Sequence, residues 1–368
     1  MKRRVALLLI GMAVAAASMP PAFSEDLSSL EALVRAQGVS GREEPVRREI
    51  LSRLPKTWSV EVDNLGNLIA TSGSGHPQRL LLAVMDEPGY VVTRIQDDGY
   101  LRVRRTSRLP VPLLFDQYFV GQPLRIASEG DAPMEAVSAV ISTHLQRGRR
   151  AGPAGAVRDE DLLVDIGART SEQAKSAGVK LLASVTLDKE LAQLAGGRVT
   201  GFALDDRVGC EALLRLAGAL SSKHLDGQLI LAWTAQSWAG SRGAARLARR
   251  FTPDEVVLVD LYAPNAPGES PPEHGGEPGR GPFLARDAGG PPGSRALRER
   301  LRSAARSAGI SIQQAGFGSQ NDGAAFKKSP LVMVGIPVRY PGTPVEEVDL
   351  RDLEDLTRWL ERYLGTAP

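Results

Sequence analysis

Several residue types are scarce in this 368-residue sequence, and each scarcity excludes a class of protein. Cysteine occurs once, at Cys210, so no internal disulfide can form and the core alone must stabilise the fold. Cys210 lies in an apolar helical pattern, which predicts a buried, inert thiol. Aromatic residues make up only 5% of the chain, which argues against an aromatic platform for carbohydrate or nucleic acid.

The N-terminal segment has the pattern of a secretory signal peptide. A basic stretch at 2–4 precedes an apolar run at 5–16, and Ala-Phe-Ser at 22–24 fits a cleavage site. We therefore predict a periplasmic or secreted protein; an uncleaved N-terminal anchor is the alternative. Without residues 1–24 the chain has 42 basic and 43 acidic residues, a net charge of about −1. This balance predicts no nucleic-acid partner, and no membrane contact beyond the signal peptide.

The rest of the chain shows two different patterns of apolar residues. Residues 25–88 and 199–368 alternate apolar runs, such as 80–85, with helical patterns, which is typical of an α/β domain with a mostly parallel sheet flanked by helices. Residues 89–198 contain short alternating runs instead. They predict an inserted small all-β domain of β-barrel or PDZ-like type. Two long loops are expected, at 146–159 and 263–293.

Polar and aromatic residues follow four of the predicted strands. Ligands of open α/β sheets bind beyond the carboxyl ends of the strands, so these residues are expected to converge in one pocket. They are Asp86, Glu87, Ser237, Trp238, Asp260, Arg339 and Tyr340.

Six short motifs occur in a fixed order along the chain: GVSGREE at 38–44, DNLGN at 63–67, DIGA at 165–168, ALDDRVG at 203–209, NDGA at 321–324 and GIPVRY at 335–340. Together they resemble the motifs of the glutamyl and deblocking aminopeptidases. These are two-metal exopeptidases, and some of them form tetrahedral cages. The resemblance spans about 27–364. It implies a zinc exopeptidase-like fold and adds Asp322, in the NDGA motif, to the candidate pocket.

The resemblance also implies a set of metal ligands, of which this chain keeps two. Family chemistry uses two divalent metals held by two His, a bridging Asp, a Glu and a further Asp. Asp205 matches the bridging carboxylate, and Asp260 matches the single carboxylate. Val84, Trp238 and Gly342 stand where the first His, the Glu and the last His belong. We therefore expect either no metal or a weakly bound hard cation, and zinc only if the protein is active.

The residues that support the metals are altered as well. The family's general base belongs at Ser237, so no catalytic residue is expected there. Asp86 matches the residue that orients the first His and has no imidazole to orient. Glu87 could be a base without a metal, and Ser237 could be a nucleophile, although no His or Lys is evident beside it. Of the other polar groups, only His274 is weighed as a substitute metal ligand.

The remaining histidines have plainer interpretations. His76 lies in a turn and His224 in a polar loop, so both are expected at the surface, and His144 falls in the inserted module.

Asp205 and Asp260 also have a structural interpretation, as inherited carboxylates. One of the two would then be neutralised by Arg207, Arg242 or Arg339, or by sharing a proton.

Three hypotheses follow. The first is an exported pseudoenzyme of the aminopeptidase type, which keeps a peptide-binding cleft. The second is an active metallohydrolase whose ligands come from elsewhere in the chain. The third is an oligomeric scaffold, in which the inserted module mediates association into a homo-oligomer. Peptides are the candidate partners under the first two.

Overall fold

The computed structural model describes residues 27–128, 132–139, 157–262, 276–286, 290–315 and 321–365. The predicted signal peptide, His144, His274 and most of the predicted loop at 146–159 lie outside these residues. Within them the predicted α/β fold class is confirmed.

Six of the eight described helices follow the helical patterns of the sequence, and the two short helices of the inserted segment, which was predicted to be all-β, were not expected. The helices are α1 (Ser28–Arg35), α2 (Glu44–Arg53), α3 (Phe115–Phe119), α4 (Ser171–Ser176), α5 (Leu204–Leu220), α6 (Arg242–Arg250), α7 (Ser294–Ser307) and α8 (Leu350–Gly365). The strands are β1 (Ser59–Val62), β2 (Leu68–Gly73), β3 (Gln78–Val84), β4 (Tyr90–Ile95), β5 (Leu101–Arg105), β6 (Pro123–Ile126), β7 (Met134–Ala139), β8 (Leu163–Asp165), β9 (Ser184–Leu187), β10 (Ala192–Leu194), β11 (Arg198–Gly201), β12 (Gln228–Thr234), β13 (Glu255–Tyr262), β14 (Phe283–Ala285), β15 (Gln313–Ala315), β16 (Leu331–Pro337) and β17 (Glu346–Asp349).

The main sheet has the order β1-β2-β12-β3-β13-β16-β14-β15. Its centre is parallel, because β12, β3, β13 and β16 all run the same way. Antiparallel pairs flank this centre: β1 with β2 and β2 with β12 on one side, β14 with β16 on the other. The carboxyl ends of the four central strands therefore meet at one edge, where the sequence places the candidate site.

Both faces of the sheet are covered, which explains the continuous apolar runs. In β3, Leu81 and Ala83 belong to the larger core cluster, which includes residues of α1, α2, α5, α7 and α8. Leu80 and Leu82 point the other way, into the cluster that contains Leu247 of α6. Side chains alternate across a strand, so a strand covered on both faces is apolar at successive positions, as β3 is from Leu80 to Val84.

The inserted segment forms a closed barrel of order β4-β5-β8-β7-β6-β9. Four aromatic residues of its core, Tyr90, Phe115, Phe119 and Phe202, lie in mutual ring contact, with Tyr90 and Phe119 edge to face at 4.8 Å. After the barrel, β10 and β11 join β17 in a separate three-stranded sheet. The β17–β11 pairing therefore links the last part of the chain to the exit of the insert.

Two expectations of the sequence need correction. Part of the stretch predicted as one loop, 263–293, forms the strand β14, because Phe283 and Leu284 pair with β16 and are buried. The strand β17 was not expected. Its sequence, Glu-Glu-Val-Asp, is acidic, yet all four residues are buried.

Among the described residues, none of the helices combines the length and the apolar character needed to cross a membrane.

Candidate functional site

A cavity of about 350 Å³ opens at the carboxyl edge of the central strands. Its lining residues come from the ends of β3 and β12, from β13, from the start of α5, and from two loops. They are Val84, Leu109, Pro110, Asp205, Asp206, Ser237, Trp238, Ser241, Asp260, Asn321 and Asp322. The structure thus brings together Val84, Asp205, Ser237, Trp238, Asp260 and Asp322 of the predicted site.

Asp86, which was predicted to lie in the pocket, does not line the cavity but holds the 237–238 turn that does. Its Oδ1 accepts the Ser237 N–H at 2.7 Å, and its Oδ2 accepts the Trp238 N–H at 3.0 Å and the Ser40 hydroxyl at 2.5 Å. Burial, reinforced by the charge of Glu43, raises the pKa of Asp86 to about 8. The carboxyl group that would orient an imidazole holds the backbone of the 237–238 turn instead.

The start of α5 places two adjacent carboxyl groups at the cavity. Ala203 has a left-handed backbone (φ 61°), and the helix begins directly after it, so Asp205 and Asp206 lie in its first turn. A helix N-terminus favours negative charge. Even so, burial raises the pKa of Asp205, and it raises that of Asp206 well above its usual range because the two groups also repel each other. Glu346 accepts the Asp205 N–H at 3.0 Å.

Trp238 closes one side of the cavity by bonding to this acidic pair. Its indole Nε1 donates to Asp206 Oδ1 at 2.9 Å. The side chain at the position that the resemblance assigns to a metal-binding Glu is therefore fixed against Asp206, the neighbour of Asp205. A bulky indole, whose N–H donates a hydrogen bond, stands where a side chain with a free lone pair would be required to bind a metal.

Asp260 and Asp322 contribute the other acidic wall. Asp260 accepts one hydrogen bond, from the Leu261 N–H at 2.8 Å, and burial together with the charges of Asp205 and Asp322 raises its pKa to about 7. Asp322 Oδ2 accepts the Ser237 hydroxyl at 2.7 Å, and burial raises the pKa of Asp322. Ser237 is thus a hydrogen-bond donor to a carboxyl group.

Residues 106–114 of the insert, which we call the strap, contribute Leu109 and Pro110 to the lining of the cavity. The Arg108 and Leu109 N–H groups donate to the Trp238 carbonyl oxygen at 2.8 and 3.1 Å. Further along the strap, Pro112 lies against Gly342. A β-carbon on Gly342 would lie 2.6 Å from Pro112 Cγ, which is too close for any side chain there. The strap therefore occupies the space beside the position of the last His.

The residues present do not fit a two-zinc centre. Val84 and Gly342 carry no donor atom, and the Trp238 indole donates a hydrogen and cannot ligate. Zinc sites need at least three protein ligands, usually with nitrogen or sulfur among them. The aspartates that line the cavity, at 205, 206, 260 and 322, supply carboxylate oxygens only. Among the described residues, moreover, no group of three or more His, Cys, Asp or Glu side chains could hold a metal ion.

Glu87 does not line the cavity, contrary to the prediction. Its carboxylate is fully buried between Lys189, at 2.7 Å, and Arg207, at 2.5 Å. Burial alone would raise the pKa of Glu87, but these two cations lower it below its usual value. Because side chains alternate at the end of β3, Asp86 points to the site and Glu87 points to the junction with the insert. Glu87 is thus a structural group and not a free base.

Arg339 and Tyr340 are also absent from the lining. Arg339 pairs with Glu347, through backbone bonds and a side-chain contact of 3.5 Å. Tyr340 is 38% exposed and lines a different surface pocket. Both residues follow β16, where the chain turns away towards β17. Gly342 does not reach the cavity either, since its N–H donates to Glu346 at 2.6 Å.

The arginines expected to neutralise Asp205 or Asp260 have other partners. Arg207 is held by Glu87 and by two backbone carbonyl groups, and Arg242 donates to Gln236. None of the described ion pairs includes Asp205 or Asp260.

The smaller predictions agree with the structure where it describes them. His76 and His224 are exposed, and His76 pairs with Asp254. Cys210 is buried.

Sequence reasoning missed five lining residues, which are Leu109, Pro110, Asp206, Ser241 and Asn321. For Asp206 a signal existed, since it adjoins Asp205 at a helix start. Leu109 and Pro110 lie in an irregular segment, for which periodicity carries no information.

The comparisons with known proteins agree with the fold. The family model of the M42 glutamyl aminopeptidases matches residues 66–358. The fold and the arrangement of the site define a metallo-aminopeptidase scaffold, and this chain belongs to the M42 glutamyl aminopeptidase family.

Some relatives match over nearly their whole length. The lysyl aminopeptidase of Pyrococcus furiosus is 26% identical over 350 residues, covering 92% of this chain and 96% of the relative. Among solved structures, the TET1 peptidase of Pyrococcus horikoshii, described as assembling into a tetrahedron or a large octahedral shell, superimposes with a TM-score of 0.81 at 30% identity. That match covers 93% of this chain and 99% of the other. An aminopeptidase of Desulfurococcus kamchatkensis has the same TM-score at 25% identity.

Proposed function

We propose that this protein is an exported pseudoenzyme of the M42 family, which lacks two-metal hydrolysis and uses the cavity to bind peptides. The single observation that carries the proposal is the chemistry at the ligand positions. Three of the expected metal ligands are replaced. A valine stands at the first position, a tryptophan whose indole is bound to Asp206 at the second, and a glycine packed against Pro112 at the third. The serine at the base position donates to Asp322 and cannot accept a proton from water as a carboxylate would.

The family membership supports peptides as the ligand class. The cavity has the size of a small-molecule site, and it combines apolar walls with a few convergent polar groups, as ligand pockets do. The strap contributes to its walls, and a cavity of this size fits a peptide end or a short side chain.

Elemental analysis tests the loss of the metal centre. The purified chain is dialysed against zinc and then against metal-free buffer, and amino-acid p-nitroanilides are assayed in parallel. We expect no retained metal and no hydrolysis. A matched control is the double variant Asp205→Asn/Asp260→Asn, which removes the last two donors and should give the same result as the native chain. One or two metals retained per native chain, and lost in the double variant, would contradict the proposal and favour an active enzyme with other ligands.

Export is tested separately, because it depends only on the N-terminal segment. The full chain is expressed in a Gram-negative host, and the fractions are analysed by mass spectrometry. We expect a periplasmic product that begins after residue 24. A full-length product in the cytoplasm would refute this part of the proposal.

A homo-oligomer is the second candidate, and the assemblies described for the TET1 peptidase favour it. Sedimentation velocity of the mature protein at several concentrations measures the mass. A single species at a multiple of the chain mass supports the assembly, whereas a monomer at all concentrations contradicts it.

A further inference from the structure

A second cavity, of about 680 Å³, lies where the inserted barrel meets the α/β domain, and we call it the junction cavity. It shares no lining residue with the candidate functional site. Two of its lining residues already cross the junction. Gln37 Nε2 donates to the Arg125 carbonyl oxygen at 3.0 Å, and Arg42 Nε donates to the Leu182 carbonyl oxygen at 3.3 Å. A ligand in this cavity would therefore contact both parts of the chain, as ligands at domain boundaries commonly do.

Two buried polar groups of the junction cavity lack a partner. Their residues, Ser184 and Gln37, are only 2% and 7% exposed. Ser184 begins β9, in which Val185 belongs to the barrel core. Because side chains alternate along a strand, Ser184 points the other way, towards the α/β domain. Its hydroxyl and the Gln37 Oε1 form no hydrogen bond with the described residues. Buried polar groups are nearly always satisfied by protein, water or ligand, so these two mark a place where a bound molecule fits.

Arg42 adds a positive charge beside these groups. Two of its guanidinium nitrogens have no partner among the described residues, and its bond to Leu182 brings the guanidinium within two residues of Ser184. An exposed arginine alone would simply be hydrated, but here a guanidinium and a buried hydroxyl offer donors to one cavity. A carboxylate accepts from two donors at once. The other charged residues that line this cavity are already paired: Arg35 with Glu31, Arg48 with Glu44, and Glu49 with Arg53.

We propose that the junction cavity binds a small organic carboxylate that also carries a hydrogen-bond donor. The Arg42 guanidinium and the Ser184 hydroxyl donate to the carboxylate, and Gln37 Oε1 accepts the hydrogen of the ligand's own donor. The inference does not depend on the proposed function, because the two cavities are separate. The bound carboxylate joins the insert to the α/β domain, so it should also raise the melting temperature of the protein.

Isothermal titration calorimetry on the native protein tests this ligand class with matched probes. N-acetylglycine has both a carboxylate and an N–H donor, N-acetylglycinamide lacks the charge, and N-acetylsarcosine lacks the N–H. Because hydrogen bonds to a charged group are the stronger ones, we expect N-acetylglycinamide to bind at least about tenfold more weakly than N-acetylglycine. Loss of one neutral hydrogen bond should weaken N-acetylsarcosine by about threefold or more. Inorganic phosphate is the fourth probe.

Variants locate the binding groups. Arg42→Gln and Ser184→Ala should each weaken N-acetylglycine binding by about tenfold or more. The matched control is Arg94→Gln, in an exposed arginine of β4 that does not line the cavity, and it should leave the affinity unchanged. Ser184→Ala separates a ligand role from a structural one. Because the hydroxyl forms no described bond in the free protein, the melting temperature without ligand should not fall, whereas the shift caused by N-acetylglycine should shrink.

Other outcomes would overturn the inference. If N-acetylglycinamide binds as tightly as N-acetylglycine, the charge is not recognised and the inference is refuted. Equal binding of N-acetylsarcosine would refute the part assigned to Gln37. If phosphate binds and N-acetylglycine does not, the cavity takes an inorganic anion and the assigned ligand class is wrong. Unchanged affinity in folded Arg42→Gln and Ser184→Ala would place the ligand elsewhere, and absence of binding by all four probes would refute the site.

Discussion

Removing the ammonium of Lys189 should destabilise the protein far more than removing a surface lysine. Lys189 Nζ donates to both oxygens of Glu87, at 2.9 and 2.7 Å, and to the Ala36 carbonyl oxygen at 2.8 Å. Its side chain is 1% exposed. In Lys189→Met the new side chain fills most of the volume, so the loss is mainly electrostatic.

The magnitude follows from the burial of the pair. Breaking a buried ion pair by removing one partner costs about 3–5 kcal/mol, because the other charge is left uncompensated. Arg207 still neutralises part of the Glu87 charge. We therefore expect Lys189→Met to lower the free energy of unfolding by about 3 kcal/mol, the lower end of that range.

A matched substitution serves as the control. Lys223 pairs with Glu361 at the surface, where the two side chains are 49% and 30% exposed. Lys223→Met should cost less than about 1 kcal/mol. Both variants are compared with the native chain by urea unfolding, followed by circular dichroism. If Lys189→Met shifts the unfolding midpoint no more than Lys223→Met does, the ion pairs at the junction contribute no more than a surface contact, and the reasoning is refuted.

Three further changes test other parts of the structure. The pKa of Asp260 is raised from 3.8 to about 7, so its contribution to stability is present at low pH and is lost as the pH rises through 7. At pH 8, Asp260→Asn should therefore be more stable than the native chain in urea unfolding, by up to about 4 kcal/mol, and near pH 4 it should be equal; a gain at both pH values would contradict this. Gly342→Ala should cost about 1–2 kcal/mol more than Gly167→Ala, because both glycines have positive φ but only Gly342 meets Pro112. If both variants lose the same free energy of unfolding, the strap moves to accommodate the new β-carbon and the predicted clash with Pro112 is refuted. Burial raises the pKa of Cys210 to about 12, so a thiol reagent should label it only in denaturant.

Much of the fold could be predicted because buried faces of helices and strands require apolar residues at regular positions in the sequence. The uninterrupted apolar run of β3 and the long apolar pattern of α5 correspond to elements covered by others. The strand β17 has no such apolar pattern. Its acidic residues are buried because specific donors meet them: Glu346 accepts the N–H groups of Asp205 and Gly342, and Arg198 pairs with Glu347. Such donors come from distant parts of the chain, which no local pattern reveals.

The candidate site could be located but not resolved from the sequence. The rule that ligands bind beyond the carboxyl ends of parallel strands placed Ser237, Trp238 and Asp260 at one edge. It could not separate Asp86 from Glu87, because neighbouring residues point in opposite directions and the last residues of a strand are irregular. Sequence spacing also gave no sign that Arg339 turns towards Glu347.

The contact between Pro112 and Gly342 restricts how the family's chemistry could be regained by mutation. A histidine at 342 requires a β-carbon in space that Pro112 fills, and it requires a positive φ, which side chains other than glycine rarely adopt. The first reverting step would therefore be harmful unless the strap had already changed, and a change in the strap alone would bring no catalytic benefit. A side chain at 342 and the present path of the strap therefore exclude each other.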